Sequence, residues 1–157
     1  MKILIVDSVA AQLNILENML KQLGYVSVHK AKNVKEATEA MAKESDIGIV
    51  ICEWNLPEKT GLDFFHILQS NEKLKSIPYI LSFKSKTKED ILLATKTGIA
   101  SLIMKPYKLD ALKQKLFKLA PKNTNATPPP KSADDELEEL MNKIEGNLKG
   151  NNTSETM

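Results

Sequence analysis

Three charged side chains each come directly after a short apolar run of the sequence: Asp7, Glu53 and Lys105. Short apolar runs bounded by turn-forming residues are typical of buried strands. In open α/β sheets, ligands bind beyond the carboxyl ends of the strands, which is where these side chains would lie. Two carboxylates and an ammonium brought together there can pair with one another or stabilise charge on a bound group. The rest of the chain must therefore supply an edge at which these strand ends meet.

Apolar strand-like runs and helical patterns alternate five times over about 120 residues. The predicted strands are residues 2–6, 25–31, 47–52, 78–83 and 100–104, and the predicted helices are residues 13–23, 34–41, 62–68, 88–97 and 109–119. This alternation predicts a parallel sheet with helices on both faces. Right-handed crossovers would bring Asp7, Glu53 and Lys105 to the same edge of that sheet.

The composition excludes several classes of protein. A hydrophobic content of 42% and a charged content of 27% are those of a soluble globular protein. No apolar run approaches the roughly 18 residues of a membrane span. All 22 basic residues are lysines, and the absence of arginine argues against nucleic acid as a partner. The single cysteine, Cys52, lies inside an apolar run and predicts a buried thiol in a reducing cytoplasm.

Several blocks of the sequence resemble the receiver domain of two-component response regulators of the chemotaxis (CheY-like) type. The blocks are Ile3-Leu4-Ile5-Val6-Asp7, Glu53-Trp54-Asn55-Leu56-Pro57 with Gly61, and Ile77-Pro78 with Gly98 and Lys105-Pro106. Their spacing fits the family over residues 1–120. The resemblance implies a doubly wound, five-stranded parallel sheet of flavodoxin-like order 2-1-3-4-5.

The resemblance also implies a phosphorylation site. In the family, a histidine kinase passes a phosphoryl group to an aspartate at the end of the third strand, and an acidic pair after the first strand holds Mg²⁺. A hydroxyl at the end of the fourth strand and a lysine at the end of the fifth contact the phosphoryl oxygens. A metal ion and an ammonium suit this reaction because they neutralise charge that develops on the acyl phosphate.

This sequence departs from that pattern at most of the site. Glu53 stands at the phosphoacceptor position, Ser8 at the second acidic position, and Phe83 at the hydroxyl position, where we expect its bulk to close the pocket. Leu102 stands at the aromatic switch position, so only Asp7 and Lys105 match outright. We therefore interpret residues 1–120 as a degenerate pseudo-receiver that has no catalytic residues and no metal ligand set, with weak or absent Mg²⁺ binding.

Two residues at the degenerate site leave alternatives open. Glu53 either forms an ion pair with Lys105, which its longer side chain can reach, or is a solvated carboxylate at a strand end. Trp54 either contacts a partner or covers the strand ends.

The C-terminal part of the sequence predicts a separate segment. Residues 121–133 read as a proline-rich linker, residues 134–149 as an acidic amphipathic helix, and residues 150–157 as a disordered tail. One face of the predicted helix carries the partner-binding candidates Leu137, Leu140, Met141 and Ile144. We expect this helix either to dock on the lysine-rich region 84–118, in cis or on a second receiver, or to remain undocked.

Two functions compete on these observations. The first is a phosphorylation-independent interaction module of chemotaxis-type signalling, without enzymatic activity. Its partners would be signalling proteins such as a kinase, another receiver or a motor component, with no nucleic acid and no membrane. The second is a working phosphorelay receiver that accepts a phosphoryl group from a histidine kinase. An unrelated flavodoxin-fold enzyme is a third class, but the sequence has no cofactor motif that would support it.

Overall fold

The computed structural model describes residues 1–99 and 101–119, in which five strands alternate with five helices. The elements in chain order are β1 Lys2–Val6, α1 Ala10–Gln22, β2 Val28–Ala31, α2 Val34–Lys43, β3 Ile47–Glu53, α3 Gly61–Gln69, β4 Tyr79–Phe83, α4 Lys88–Thr97, β5 Ser101–Met104 and α5 Leu109–Leu119. The predicted linker at 121–133, the helix at 134–149 with its apolar face, and the tail at 150–157 lie outside the described residues.

The five strands form one parallel sheet in the order β2-β1-β3-β4-β5. This confirms the predicted flavodoxin-like fold. The strand order reverses beside β1, between β1 and β3, which is the place where doubly wound sheets bind ligands. Because all strands are parallel, the carboxyl ends of β1, β3 and β5 lie at one edge of the sheet.

The core is divided between the two faces of the sheet. On one face, Ile5, Ile51 and Ile103 pack with leucines of α1 and α5. On the other face, Val50 and Leu81 pack with apolar side chains of α2, α3 and α4. Alternate residues of each strand point to opposite faces, so the strands bury both sides and read as continuous apolar runs. Burial of each such side chain contributes roughly 1.5–3 kcal/mol.

The helix boundaries follow from local capping. Asn33 accepts a hydrogen bond from the Glu36 backbone N–H at 2.8 Å and so caps the start of α2. The Glu36 carboxylate accepts a hydrogen bond from the Lys32 N–H at 2.9 Å. Gly98 ends α4 with φ of +110°, a left-handed conformation that glycine adopts without strain.

The strand β2 is shorter than the sequence pattern predicts. It begins at Val28 rather than at Tyr25, because the Tyr25 N–H bonds the Leu20 carbonyl at 2.9 Å and belongs to the end of α1. Gly24, with φ of +96°, makes the turn between the two elements. Among the helices of residues 1–99 and 101–119, none is long and apolar enough to cross a membrane.

Candidate functional site

The three charged side chains predicted to converge do meet at the carboxyl edge of the sheet. The Lys105 ammonium forms ion pairs with Asp7 Oδ2 and with Glu53 Oε1. Of the two alternatives for Glu53, the structure therefore has the ion pair rather than the solvated carboxylate. Lys105 pairs with both carboxylates at once, and the three residues together are here called the carboxylate–lysine cluster.

The second oxygen of each carboxylate also has a partner. Asp7 Oδ1 accepts a hydrogen bond from the Val9 N–H at 3.0 Å, and Glu53 Oε2 accepts one from the Asn55 N–H at 2.8 Å. Charge-assisted bonds of this kind are stronger than bonds between neutral groups. All four carboxylate oxygens are thus bound within the protein.

The three side chains of the carboxylate–lysine cluster are largely buried. Asp7 is 3% exposed and Glu53 is 7% exposed, and the Lys105 side chain is 10% exposed. Charged groups taken out of water to this degree must be paired, because an unpaired buried charge is costly. The cluster is therefore a buried, mutually paired set of charges and not a set of surface ion pairs.

Backbone hydrogen bonds fix the strand ends that carry the cluster. Beyond β1, the Asp7 N–H bonds the Ala31 carbonyl of β2 at 3.0 Å. Beyond β5, the Lys105 N–H bonds the Phe83 carbonyl of β4 at 2.8 Å. Glu53 itself is the last residue of β3 and lies in register with Ser82. The sheet thus holds the backbones of all three residues in place.

An open cavity of about 550 Å³ lies over the cluster. Its lining includes the cluster and the segments around it: Asp7, Ser8, Val9, Gln12, Glu53, Asn55, Lys84, Lys105 and Pro106. Phe83 does not line this cavity, so the expectation that its bulk would close the pocket is wrong. The hydroxyl expected of a receiver at this position is missing, but the space in front of Glu53 is open.

Phe83 is turned into the core instead. It is 2% exposed and packs edge-to-face on Trp54, with ring centroids 6.1 Å apart and planes at 83°. Leu102, at the switch-equivalent position, is fully buried in the same apolar cluster. Burying an aromatic ring against other apolar groups is favourable, whereas a polar cavity would leave it in water.

The burial of Trp54 argues against a partner contact, and its ring packs on Phe83, the last residue of β4. Trp54 is only 5% exposed and belongs to the core. The Lys86 ammonium lies over the Trp54 ring, 4.5 Å from its centroid, in a cation–π contact. Lys86 also donates a hydrogen bond to Asn55 Oδ1 at 2.8 Å. The sequence pattern does not predict this Lys86 contact. No periodic signal marks it, since it joins the loop after β4 to the loop after β3.

Burial shifts the pKa values of two ionisable groups near the cluster, Cys52 and Tyr107. Burial raises the pKa of the Cys52 thiol to about 12, so the thiol stays protonated, as predicted for a structural cysteine. Burial likewise raises the pKa of Tyr107, whose ring centroid lies 5.9 Å from the Lys105 ammonium. Both groups are neutral at physiological pH and add no charge to the cluster.

The charged oxygen donors of the carboxylate–lysine cluster are the carboxylates of Asp7 and Glu53, and both are paired with Lys105. Within residues 1–99 and 101–119, no three His, Cys, Asp or Glu side chains come together as a metal site. Mg²⁺ needs octahedral oxygen ligands, and here an ammonium stands between the two carboxylates that could supply them. Ser8, at the second acidic position, offers a neutral hydroxyl.

A doubly wound sheet of order 2-1-3-4-5, with acidic groups at the carboxyl ends of β1 and β3 and a lysine at that of β5, defines a domain of the receiver type. Residues 3–117 match the family model of the response regulator receiver domain. The chain therefore belongs to the response regulator receiver family.

Similar proteins extend this assignment. The chain is 35% identical over 116 residues to chemotaxis protein CheY1 of Helicobacter pylori, covering 74% of this chain and 94% of that protein. It is 33% identical over 119 residues to chemotaxis protein CheY-3 of Vibrio cholerae, covering 76% and 91%. The solved structure of chemotaxis response regulator CheY4 of Vibrio cholerae matches with a TM-score of 0.69 at 22% identity, covering 76% of this chain and 98% of that one. That structural match supports the fold.

Proposed function

We propose that this chain is a phosphorylation-independent receiver that acts as a protein–protein interaction module in two-component signalling of the chemotaxis type, and that it is not an enzyme. The observation that supports this most directly is the carboxylate–lysine cluster, in which Lys105 already pairs with both Asp7 and Glu53. Phosphoryl transfer by a receiver needs these same groups for a metal ion and for the transferred group.

Phosphoryl transfer depends on how the groups around the acceptor carboxylate are positioned. Transfer to a carboxylate is accelerated almost entirely by groups that are held in place around the developing charge. Glu53 has one oxygen on Lys105 and the other on the Asn55 N–H, so both candidate nucleophilic atoms are already bound. Breaking either contact would leave a buried charge short of its partner, which costs free energy.

The absence of an acidic residue at position 8 and of a hydroxyl at position 83 also supports a phosphorylation-independent receiver. Ser8 supplies no charge for a metal ion, so we propose that Mg²⁺ binds weakly or not at all. Phe83 supplies no hydroxyl and is held in the core by Trp54. We propose that the cluster instead holds the edge of the domain in one conformation for recognition by other proteins.

The partners follow from the family and from the relatives. Chemotaxis proteins are the curated relatives to which this chain is similar, so the partners we propose are signalling proteins: a kinase, another receiver or a motor component. We place these interactions in the cytoplasm. Nucleic acid is not among the proposed partners because the chain has no arginine.

One observation favours the alternative, a working phosphorelay receiver that takes its phosphoryl group from a histidine kinase. The cavity of about 550 Å³ over Glu53 is open and includes Lys84 and Lys105 in its lining. Space and positive charge for a phosphoryl group are therefore present, even though the metal ligands and the hydroxyl are not.

Labelling with a small phosphodonor separates the two functions. The purified full-length chain is incubated with radiolabelled acetyl phosphate and Mg²⁺, beside a chemotaxis CheY as the positive control. We expect no saturable, metal-dependent label on the native chain. Uptake by the native chain at a rate comparable with the control, abolished by Glu53→Gln, would establish the working receiver instead.

Restoring the missing groups tests the same site from the other direction. The double variant Ser8→Asp/Glu53→Asp returns the metal ligand and the acceptor without changing the aromatic core. The triple variant adds Phe83→Thr. We expect metal-dependent labelling in the double variant and faster labelling in the triple one. If the folded double variant takes up no label while the control does, the loss of these groups does not explain the native inactivity.

A further inference from the structure

The side chain of Lys86 joins the two loops that border the cavity over Glu53. One loop follows β3 and the other follows β4, and both contribute residues to the lining of the cavity. The half-buried Lys86 donates to Asn55 Oδ1 at 2.8 Å, and its ammonium lies 4.5 Å from the centroid of the Trp54 ring. Because the Trp54 ring is buried in the core, these contacts hold the loop after β4 against a fixed support.

Asn55 makes contacts in two directions. Its backbone N–H donates to Glu53 Oε2 at 2.8 Å, and its side-chain Oδ1 accepts the hydrogen bond from Lys86. A change in the charge or position of the Glu53 carboxylate therefore acts directly on Asn55. Since both contacts belong to one residue, the acceptor that Asn55 offers to Lys86 changes with it.

The residue after Lys86 starts the helix α4. Thr87 is the N-cap of this helix, and its Oγ1 accepts a hydrogen bond from the Asp90 N–H at 3.1 Å. In return, the Asp90 carboxylate accepts one from the Thr87 N–H at 3.3 Å. This capping box fixes the first turn of α4 relative to Thr87. The position of Lys86 therefore bears directly on the start of α4.

Two apolar residues stand where the receiver family has a hydroxyl and an aromatic switch residue. They are Phe83 and Leu102, and both are buried in the same apolar cluster. Neither side chain has a polar atom that could respond to a charge at Glu53. A polar connection between Glu53 and α4 in this chain must therefore run through other residues.

We propose that Asn55 and Lys86 couple the Glu53 carboxylate to the start of α4. The connection runs from Glu53 to Asn55, from Asn55 to Lys86, and along the backbone to the capping box at Thr87. A partner protein that binds the start of α4 and displaces Lys86 then alters the surroundings of Glu53. A change at Glu53 likewise alters the surface that this partner meets, because coupling between two sites is reciprocal.

Lys86 is a positioning residue in this connection, since it acts on Glu53 through Asn55. The coupling involves the unmodified carboxylate. It therefore does not depend on whether Glu53 accepts phosphate.

Amide hydrogen exchange of the Asp90 N–H, followed by NMR in the full-length chain, provides the test. This group exchanges when the first turn of α4 opens. Lys86→Met removes the ammonium and keeps most of the aliphatic stem, and we expect the Asp90 N–H to exchange about threefold or more faster. Lys88→Met is the matched control, because it removes the same charge from the exposed first residue of α4. Its exchange rate should stay close to that of the native chain.

A double-mutant cycle tests the link to Glu53. Glu53→Gln removes the charge that Asn55 meets, and it should speed exchange of the Asp90 N–H about twofold or more in the native chain and in Lys88→Met. In Lys86→Met it should have no further effect, because the connection is already broken. An equal effect of Glu53→Gln in the native and Lys86→Met backgrounds would overturn the proposal, as would no effect in either.

Glu53→Asp repeats the cycle without a change of charge. It shortens the side chain and so withdraws the oxygen that the Asn55 N–H binds, and it gives the same test if Glu53→Gln does not fold. Asn55→Ala removes the acceptor of Lys86 and should also speed exchange of the Asp90 N–H. Because Asn55 and Lys86 act in one connection, Asn55→Ala/Lys86→Met should exchange no faster than Lys86→Met alone. Additive effects would mean that the two residues act on α4 separately, which contradicts the coupling.

Discussion

Glu53 and Lys105, 52 residues apart in the chain, form an ion pair between the carboxyl ends of β3 and β5. Asp7 shares the same ammonium from the end of β1. The sheet therefore has its three charged strand ends joined through one lysine, and that lysine is the residue on which the charge balance of the edge depends.

Replacing Lys105 with methionine should destabilise the fold strongly. The substitution keeps most of the side-chain volume but leaves Asp7 and Glu53 as two buried carboxylates without a cation. Removing one partner of a buried pair typically costs about 3–5 kcal/mol. Urea denaturation followed by circular dichroism measures the change in the free energy of unfolding.

The control for this substitution is a surface pair of the same chemistry. Lys30 bonds Glu17 at 3.1 Å with its side chain 42% exposed, so Lys30→Met should cost no more than about 1 kcal/mol. In the double variant Lys105→Met/Glu53→Gln, part of the lost stability should return, because one uncompensated charge is removed. Equal costs for Lys30→Met and Lys105→Met would contradict the buried, mutually paired character of the cluster.

Phe83→Thr should also be destabilising, for a different reason. The ring is buried against Trp54, and truncating a buried Phe typically costs about 3–5 kcal/mol. Phe83→Leu keeps more of the apolar volume and should cost less. Emission of Trp54, the one tryptophan of the chain, should change in both variants. If Phe83→Thr unfolds at the same urea concentration as the native chain, the ring does not support the core.

Most of the fold could be predicted from the sequence because the apolar runs of the strands and the residues that start and end the helices are local patterns. The runs around Ile5 and Ile51 are continuous and apolar, which is typical of parallel strands covered on both faces. Asn33 and Gly98 mark a helix start and a helix end by their own chemistry. The start of β2 was misplaced, because Tyr25 alternates like a strand residue while its N–H completes the end of α1.

The site could be predicted only in part. The order of strands brings Asp7, Glu53 and Lys105 together whatever their side chains do, so their convergence follows from topology. The direction of Phe83, the last residue of β4, depends on its packing with Trp54, the residue that follows β3, and the sequence pattern does not reveal that contact. The cavity is open because Phe83 is turned into the core. The sequence shows the bulk of Phe83 but not its direction, and so predicts a closed pocket.

Gly61 should be sensitive to the smallest substitution. It begins α3, and a Cβ atom there would lie 2.5 Å from the Glu53 carbonyl and 2.6 Å from Leu81 Cδ1. Gly61→Ala therefore forces the end of β3 to move, at a cost of about 1–3 kcal/mol. Gly24→Ala is the control. No atom lies within 4 Å of the Cβ position of Gly24, so an alanine there meets no neighbour and is strained only by the φ of +96°. Trp54 emission should shift in Gly61→Ala and stay unchanged in Gly24→Ala.

The buried thiol of Cys52 should make the fold sensitive to alkali. Burial raises its pKa from 9.0 to about 12, so above pH 9 the folded chain keeps a proton that the unfolded chain loses. A group whose pKa is raised by folding contributes stability that is complete below its unfolded pKa and is lost as the pH rises toward its folded pKa. The window of loss for Cys52 is therefore pH 9 to about 12.

Cys52→Ala removes this one titration and leaves the others. Between pH 9 and 11, the free energy of unfolding of the native chain should fall more steeply than that of Cys52→Ala, by about 1.4 kcal/mol per pH unit. Burial also raises the pKa values of Tyr79 and Tyr107, so both proteins lose stability in alkali and only the difference in slope belongs to the thiol. Urea denaturation at pH 8, 9, 10 and 11 measures both slopes. Because any packing loss in Cys52→Ala is independent of pH, parallel curves would mean that the thiol ionises as easily in the folded chain as in the unfolded one.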